Sequence, residues 1–181
     1  METLNCLFTH SYDPDWFAGM QQRWERRGWS AAALEHLPDR VDAPLVWFTA
    51  VPFSGHEQVL RLARREQVPV LPVHVTTTIN LGPRIGGAAA PCLECLSHTY
   101  ALFNGAVNPT VDLSAVPAAL LANAIVEVLN GSPNGSMERI HTSGQRERVR
   151  IPRNPLCPVC SRYAIYPLEQ LQQPVSSSVG R

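Results

Sequence analysis

The sequence predicts an α/β domain: a parallel sheet with crossover helices, then a C-terminal antiparallel hairpin and a four-cysteine zinc site. Three observations carry this. Apolar runs of strand length alternate with amphipathic stretches up to about Val75, the grammar of strand–helix–strand units. Two strand-like runs flank Ser143-Gly144, a hairpin signal. Four of the five cysteines form two C-x-x-C pairs.

Leu4–Thr9 is apolar enough for a first strand. Asp13-Pro14 then supplies an N-cap followed by Pro at the first helical position, and the helix runs to about Arg27, where Gly28 stops it. Trp16, Phe17, Met20 and Trp24 recur at helical spacing as an apolar, core-facing stripe. A short helix is expected over Ser30–Leu37. Leu45–Ala50 is a continuous apolar run, as a buried parallel strand requires. Ser54 and Glu57 form a capping box for a helix to about Glu66. Val68–Val75 is the third strand, and Thr76–Leu81 continues it into a loop at Gly82–Gly87. The first cysteine pair opens a helix at about Leu93–Phe103, and residues 104–113 form a loop. Ser114 caps a largely buried helix over Ala115–Asn130, which Gly131 stops. Met137–Thr142 and Gln145–Pro152 make the hairpin. One domain thus spans 1–171, in halves 1–75 and 76–171, and the polar 172–181 is a disordered tail.

The chain has 181 residues and is 45% hydrophobic, enough for one core. Fifteen basic residues balance fifteen acidic ones, so the large basic excess of a general nucleic-acid binder is missing. No apolar run approaches the roughly 18 residues of a membrane span, and the N-terminus has no secretory pattern, which places the chain in the cytoplasm. Every basic residue is Arg. The absence of Lys excludes a Schiff base or a phosphate-loop lysine.

In a reducing compartment the pairs Cys92/Cys95 and Cys157/Cys160, with 61 residues between them, read as zinc knuckles rather than disulfides. A single pair would leave a redox couple open; two complete a thiolate tetrahedron. Four thiolates leave no position for water, so the zinc is structural. Cys6 lies in an apolar run and reads as a small hydrophobe. The histidines are scattered; His98 follows Cys95 by three residues and reads as a surface or second-sphere group. No phosphate-cradling glycine pattern follows the first strand, where His10-Ser11-Tyr12-Asp13-Pro14 stands instead. Gly82–Gly87 has the wrong spacing for one, and no nucleophile-elbow or H-E-x-x-H pattern occurs.

From Asp42 to Cys160 an ordered set of features resembles a known family. Strand Leu45–Ala50, helix Glu57–Glu66 and strand Val68–Val75 lead to Leu81-Gly82-Pro83-Arg84-Ile85 and to Pro91-Cys92-Leu93-Glu94-Cys95-Leu96. The helix Val116–Leu129 and the arginine-bearing Arg146–Arg150 then run into Asn154-Pro155-Leu156-Cys157-Pro158-Val159-Cys160. This is similar to the C-terminal part of the ThiF/MoeB-type proteins, the fold shared with ubiquitin-activating enzymes. Within them it resembles the ocin-ThiF-like, McbB-type partner subunits of azole-containing peptide biosynthesis. The resemblance implies a partial Rossmann-like sheet. It also implies a role beside a YcaO enzyme, which holds the ATP, and a precursor peptide. The adenylating members' nucleotide half, with its Gly-rich loop, Arg and Lys, has no counterpart here, nor has the winged-helix peptide-recognition domain. The resemblance therefore implies no ATP on this chain alone.

The reading is a non-catalytic, zinc-stabilised scaffold or peptide-docking subunit of a peptide-modifying synthetase. The alternatives are a split adenylating enzyme whose ATP-binding half is a separate chain, and a stand-alone zinc-knuckle interaction module. Arg146, Arg148 and Arg150 alternate along a strand and share one face. They read either as a solvated sheet face or as a docking edge for acidic peptides or partners. A sheet that begins partway through its fold is expected to leave Leu4–Phe8 and the aromatic stripe partly uncovered. The chain is then a homo- or hetero-oligomer, with itself or with a YcaO-type enzyme.

Overall fold

The computed structural model describes residues 2–9, 11–49, 56–75, 78–85, 95, 116–131, 135–141, 143–151 and 157. The elements in chain order are β1 (Glu2–Phe8), α1 (Pro14–Glu25), β2 (Trp29–Leu34), β3 (Leu45–Thr49), α2 (His56–Glu66), β4 (Val70–Val75), β5 (Thr78–Leu81), α3 (Ala118–Gly131), β6 (Ser136–His141) and β7 (Arg146–Arg150). One seven-stranded sheet runs in the order β2-β1-β3-β4-β5-β6-β7. The first four strands are parallel and the last four form an antiparallel series.

The chain moves from β1 through α1 to β2 on one side, and from β3 through α2 to β4 on the other. Right-handed crossovers in opposite directions put the two helices on opposite faces. One face carries Leu4, Cys6, Phe8, Val46, Phe48, Leu71, Val73, Ile79 and Ile140 beneath α1 and α3. The opposite face carries Leu45, Trp47, Val70 and Met137 beneath Val59 and Ala63 of α2.

Local chemistry explains the ends. The Asp13 carboxylate accepts from the N–H groups of Asp15 and Trp16, and Pro14 opens α1. Three residues after α1 ends, Gly28 takes a left-handed φ of +79°. α2 ends on a left-handed Gln67, with Val68 N–H donating to the Ala63 carbonyl, a Schellman closure made without glycine. The hairpin turns at Gly144, φ +83°, where the Gly144 N–H reaches the His141 carbonyl.

Four expectations need correction. Ser30–Leu37 is not a helix: Trp29–Leu34 is the sheet's outer parallel strand, paired from Glu2↔Trp29 to Leu7↔Leu34. The helix propensity of three alanines is overridden by the ladder with β1 and by burial of Trp29. Thr78–Leu81 does not continue β4 but returns antiparallel beside it, Val73 facing Leu81. The hairpin is accordingly no appendage, because β5 joins it to the parallel strands. The last long helix begins at Ala118, not Ala115. Pro117 disfavours helical backbone at Val116, and its carbonyl takes the first helical bond, from Leu121. Ser114 lies outside the described residues, as do Ser54, the loop at 104–113 and the tail.

Finally, the aromatic stripe is not uncovered. Trp16, Phe17, Met20 and Trp24 are all buried within the chain. α3 folds across α1, and both indoles donate to its backbone region: Trp16 Nε1 to the Val116 carbonyl at 2.8 Å and Trp24 Nε1 to the Ala122 carbonyl at 3.0 Å. Arg23 Nε adds a bond to Asn123 Oδ1. Among the described residues, no helix is long and apolar enough to cross a membrane.

Candidate functional site

In a doubly wound sheet, ligands are held at the carboxyl ends of the strands, where the strand order reverses. Here that point lies between β1 and β3. An open crevice of about 460 Å³ is lined there by Phe8, Thr9, Ser11, Tyr12, Pro14 and Glu35. Phe8 stacks on Tyr12 and on Phe48, at 3.9 and 4.5 Å between ring centroids. The nearby amino terminus of α1 would suit a phosphate. Its N–H groups, however, are already taken by the Asp13 carboxylate, and Pro14 removes one donor. The crevice therefore presents aromatic surface, hydroxyls and the Glu35 carboxylate in place of a phosphate cradle.

Of the four expected zinc ligands, one from each pair is described. Cys95 is helical, and Cys95 and Cys157 are 2% and 1% exposed. Cys92 and Cys160 lie outside the described residues, as do His98 and most of the helix expected at 93–103. Among the described residues no group of three His, Cys, Asp or Glu forms a metal cluster. Burial of one thiol from each knuckle and the chemistry of the donor set fit a closed zinc site. Burial pushes the Cys6 thiol up and keeps it neutral, in keeping with its place in the core.

Arg146 and Arg148 share a sheet face and converge on Glu138, which lies across from them on β6. Glu138 receives Arg146 Nη2 and, at 3.1 Å, Arg148 Nη2; Arg146 also meets Glu127 of α3 at 2.9 Å. Burial opposes ionisation of Glu138, but hydrogen bonds and charge from the two guanidiniums outweigh it and hold the carboxyl below its usual range. Arg150 lies outside this cluster and is exposed.

The opposite face holds a feature that sequence reading missed. Thr49 faces His74, His74 faces Asn80, Asn80 faces Arg139 and Arg139 faces Glu147. This polar row crosses five adjacent strands. Thr49, His74 and Asn80 are buried. Arg139 bridges Asn80 Oδ1 at 3.2 Å and Glu147 Oε1 at 2.8 Å. Its only sequence signal is one polar residue on the same face of each strand, and only the register aligns them.

Burial lowers the His74 imidazole from its usual 6.5 to about 4. Between those values the unfolded chain binds a proton that the folded chain refuses, so stability falls as pH drops from 6.5 toward 4, by up to about 3 kcal/mol. The depressed Glu138 carboxyl adds a further loss at lower pH, beginning near its ordinary 4.5. Thermal melts at pH 7, 5.5 and 4.5 should show the first loss in the native protein and much less of it in His74→Gln. Equal pH dependence in both proteins would show that another group is responsible.

No family model and no curated protein matches the chain. Solved structures do match its fold. A heterocyclase in complex with substrate and cofactor superposes with TM-score 0.61 at 16% identity, over 88% of this chain and 25% of that one. The heterocyclase TruD gives 0.60 at 14%, over 88% and 27%. A chain of the E. coli microcin synthetase McbBCD complex gives 0.61 at 9%, over 86% and 67%. The chain thus spans about a quarter of the length of the two heterocyclases. It shares a fold with heterocyclases and microcin synthetase components; at these identities the likeness concerns the fold alone.

Proposed function

We propose that the chain is a non-catalytic, zinc-stabilised scaffold or peptide-docking subunit of a synthetase that modifies ribosomal peptides. The modification is of the azoline or thiazole type, and the partner is a YcaO-type cyclodehydratase. The observation that carries the reading is the amino terminus of α1, whose donors are occupied by Asp13 at the point where nucleotide-binding relatives of this architecture hold phosphate. The lack of Lys and the fold shared with heterocyclases support it. Cys92, Cys95, Cys157 and Cys160 would hold the zinc, which ties the two parts of the chain together and offers no open coordination position.

The test pairs two assays. The isolated chain should give no ATP–pyrophosphate exchange with candidate peptides. Added to a YcaO-type enzyme and its precursor peptide, it should raise the cyclodehydration rate at least tenfold, and light scattering should show a complex. Robust exchange by the chain alone would replace this reading with an adenylating one. No effect on the partner's rate would remove it.

A further inference from the structure

We propose that the outer edge of β7 is a docking strand for an extended acidic peptide. His141 N–H donates to the Gln145 carbonyl at 2.9 Å, and Ile151 N–H donates to the Gly135 carbonyl at 2.7 Å. Bonded pairs in an antiparallel ladder alternate, so the pairs between these two are Arg139 with Glu147 and Met137 with Val149. The intervening residues Arg146, Arg148 and Arg150 then turn their backbone N–H and C=O away from β6. β7 ends the strand order, and no described strand pairs with its outer side. The alternation that frees these backbone groups also puts their three guanidiniums on one face. All three residues are exposed.

Charge selects the occupant. Arg146 is held by Glu127 and Glu138, but Arg148 remains 57% exposed beside Glu138. Arg150 has no ion pair among the described residues. A second copy of β7 added about a two-fold at Arg148 would set Arg opposite Arg at every outward position, which is repulsive. A strand with carboxylates at alternate positions meets the same edge with opposite charge. Main-chain bonds would supply affinity and the arginines the preference. The geometry stands by itself; it rests on the proposed function only in identifying that strand with the precursor peptide.

The experiment uses the purified full chain and two synthetic probes, an alternating Glu-Val peptide and its Lys-Val counterpart. Hydrogen exchange read by NMR should show the Arg146, Arg148 and Arg150 amides unprotected in the free protein and protected with Glu-Val, while Glu147 and Val149 are protected throughout. Arg150→Gln should weaken Glu-Val binding about threefold and lower its salt dependence. Arg150→Pro, which also removes an outward N–H without touching the β6 ladder, should weaken it about tenfold or more. Thermal melts of both variants check folding, and the exchange result on the native chain decides if the Pro variant is unfolded. Equal binding of Lys-Val, unchanged exchange at the three amides, or their protection by self-association without peptide would each overturn the proposal. None of these assays involves the cyclodehydratase, so a failed partnership and a failed docking edge give different results.

Discussion

Purified protein should contain one zinc per chain, and stripping it with a strong chelator should abolish the folded carboxyl-terminal half. Structural zinc in small domains carries apparent free energies of about 10 kcal/mol or more at neutral pH, which is comparable with the whole stability of a domain. The segment between Cys95 and Cys157 contains α3, β6 and β7, so a zinc held by the two cysteine pairs would close a loop around much of the core. Without it, Cys95 and Cys157 remain as thiols in sites about 1–2% exposed, and the entropy of that loop is no longer offset. Because α3 covers the aromatic stripe of α1, the damage should spread: hydrogen exchange should accelerate in α3 and α1 together. Cys157→Ser should behave like the chelated protein. Metal-free protein with a full cooperative melt, or a stable Cys157→Ser protein, would refute the site. Mass spectrometry under native conditions and a thermal melt are sufficient.

Trp24→Ala should cost about 3–5 kcal/mol, the range for deleting a large buried aromatic. Trp24 is fully buried, and its indole N–H donates to the Ala122 carbonyl. The substitution therefore opens a cavity between α1 and α3 and removes a hydrogen bond. Neighbouring backbone cannot close the gap easily, because Gly19 already approaches Ala118 so tightly that an added Cβ would lie 3.3 Å from the Ala118 Cβ. In a chain of this length the loss corresponds to a melting temperature lower by about 10 °C. Trp24→Phe, which keeps much of the volume, should lose clearly less. A Trp24→Ala protein within 1 kcal/mol of the native one in urea titration would mean that the α1–α3 contact contributes little to stability.

Much of the fold was legible because its signals are local. Asp13-Pro14 opens α1 by cap chemistry, as read, while the helix ends earlier than read, at Glu25 with Arg26 as its cap, and Gly28 makes the left-handed turn beyond it. The apolar run at Leu45 forms a strand buried at every position. Gly144 turns the hairpin in its left-handed conformation. The shared face of Arg146, Arg148 and Arg150 followed from the period of a strand.

What the tertiary structure decided was pairing. Trp29–Leu34 has the alanines of a helix, but β1 offers a ladder of hydrogen bonds along its whole length, and that outweighs the small difference in propensity. The cover over Trp16 and Trp24 comes from a helix about 100 residues further on, beyond the reach of any periodicity. Glu127 and Glu138 hold Arg146, and Glu138 also meets the still exposed Arg148, because β6 and α3 bring the carboxylates there. The row from Thr49 to Glu147 exists only through the register of five strands. Outside Trp29–Leu34 and the reversal at Thr78, local sequence determined most of the strands, helices and turns, because backbone dihedrals and caps respond to near neighbours. The tertiary structure decided which polar groups meet and which apolar faces are covered, because those depend on free energies shared between residues far apart in the chain.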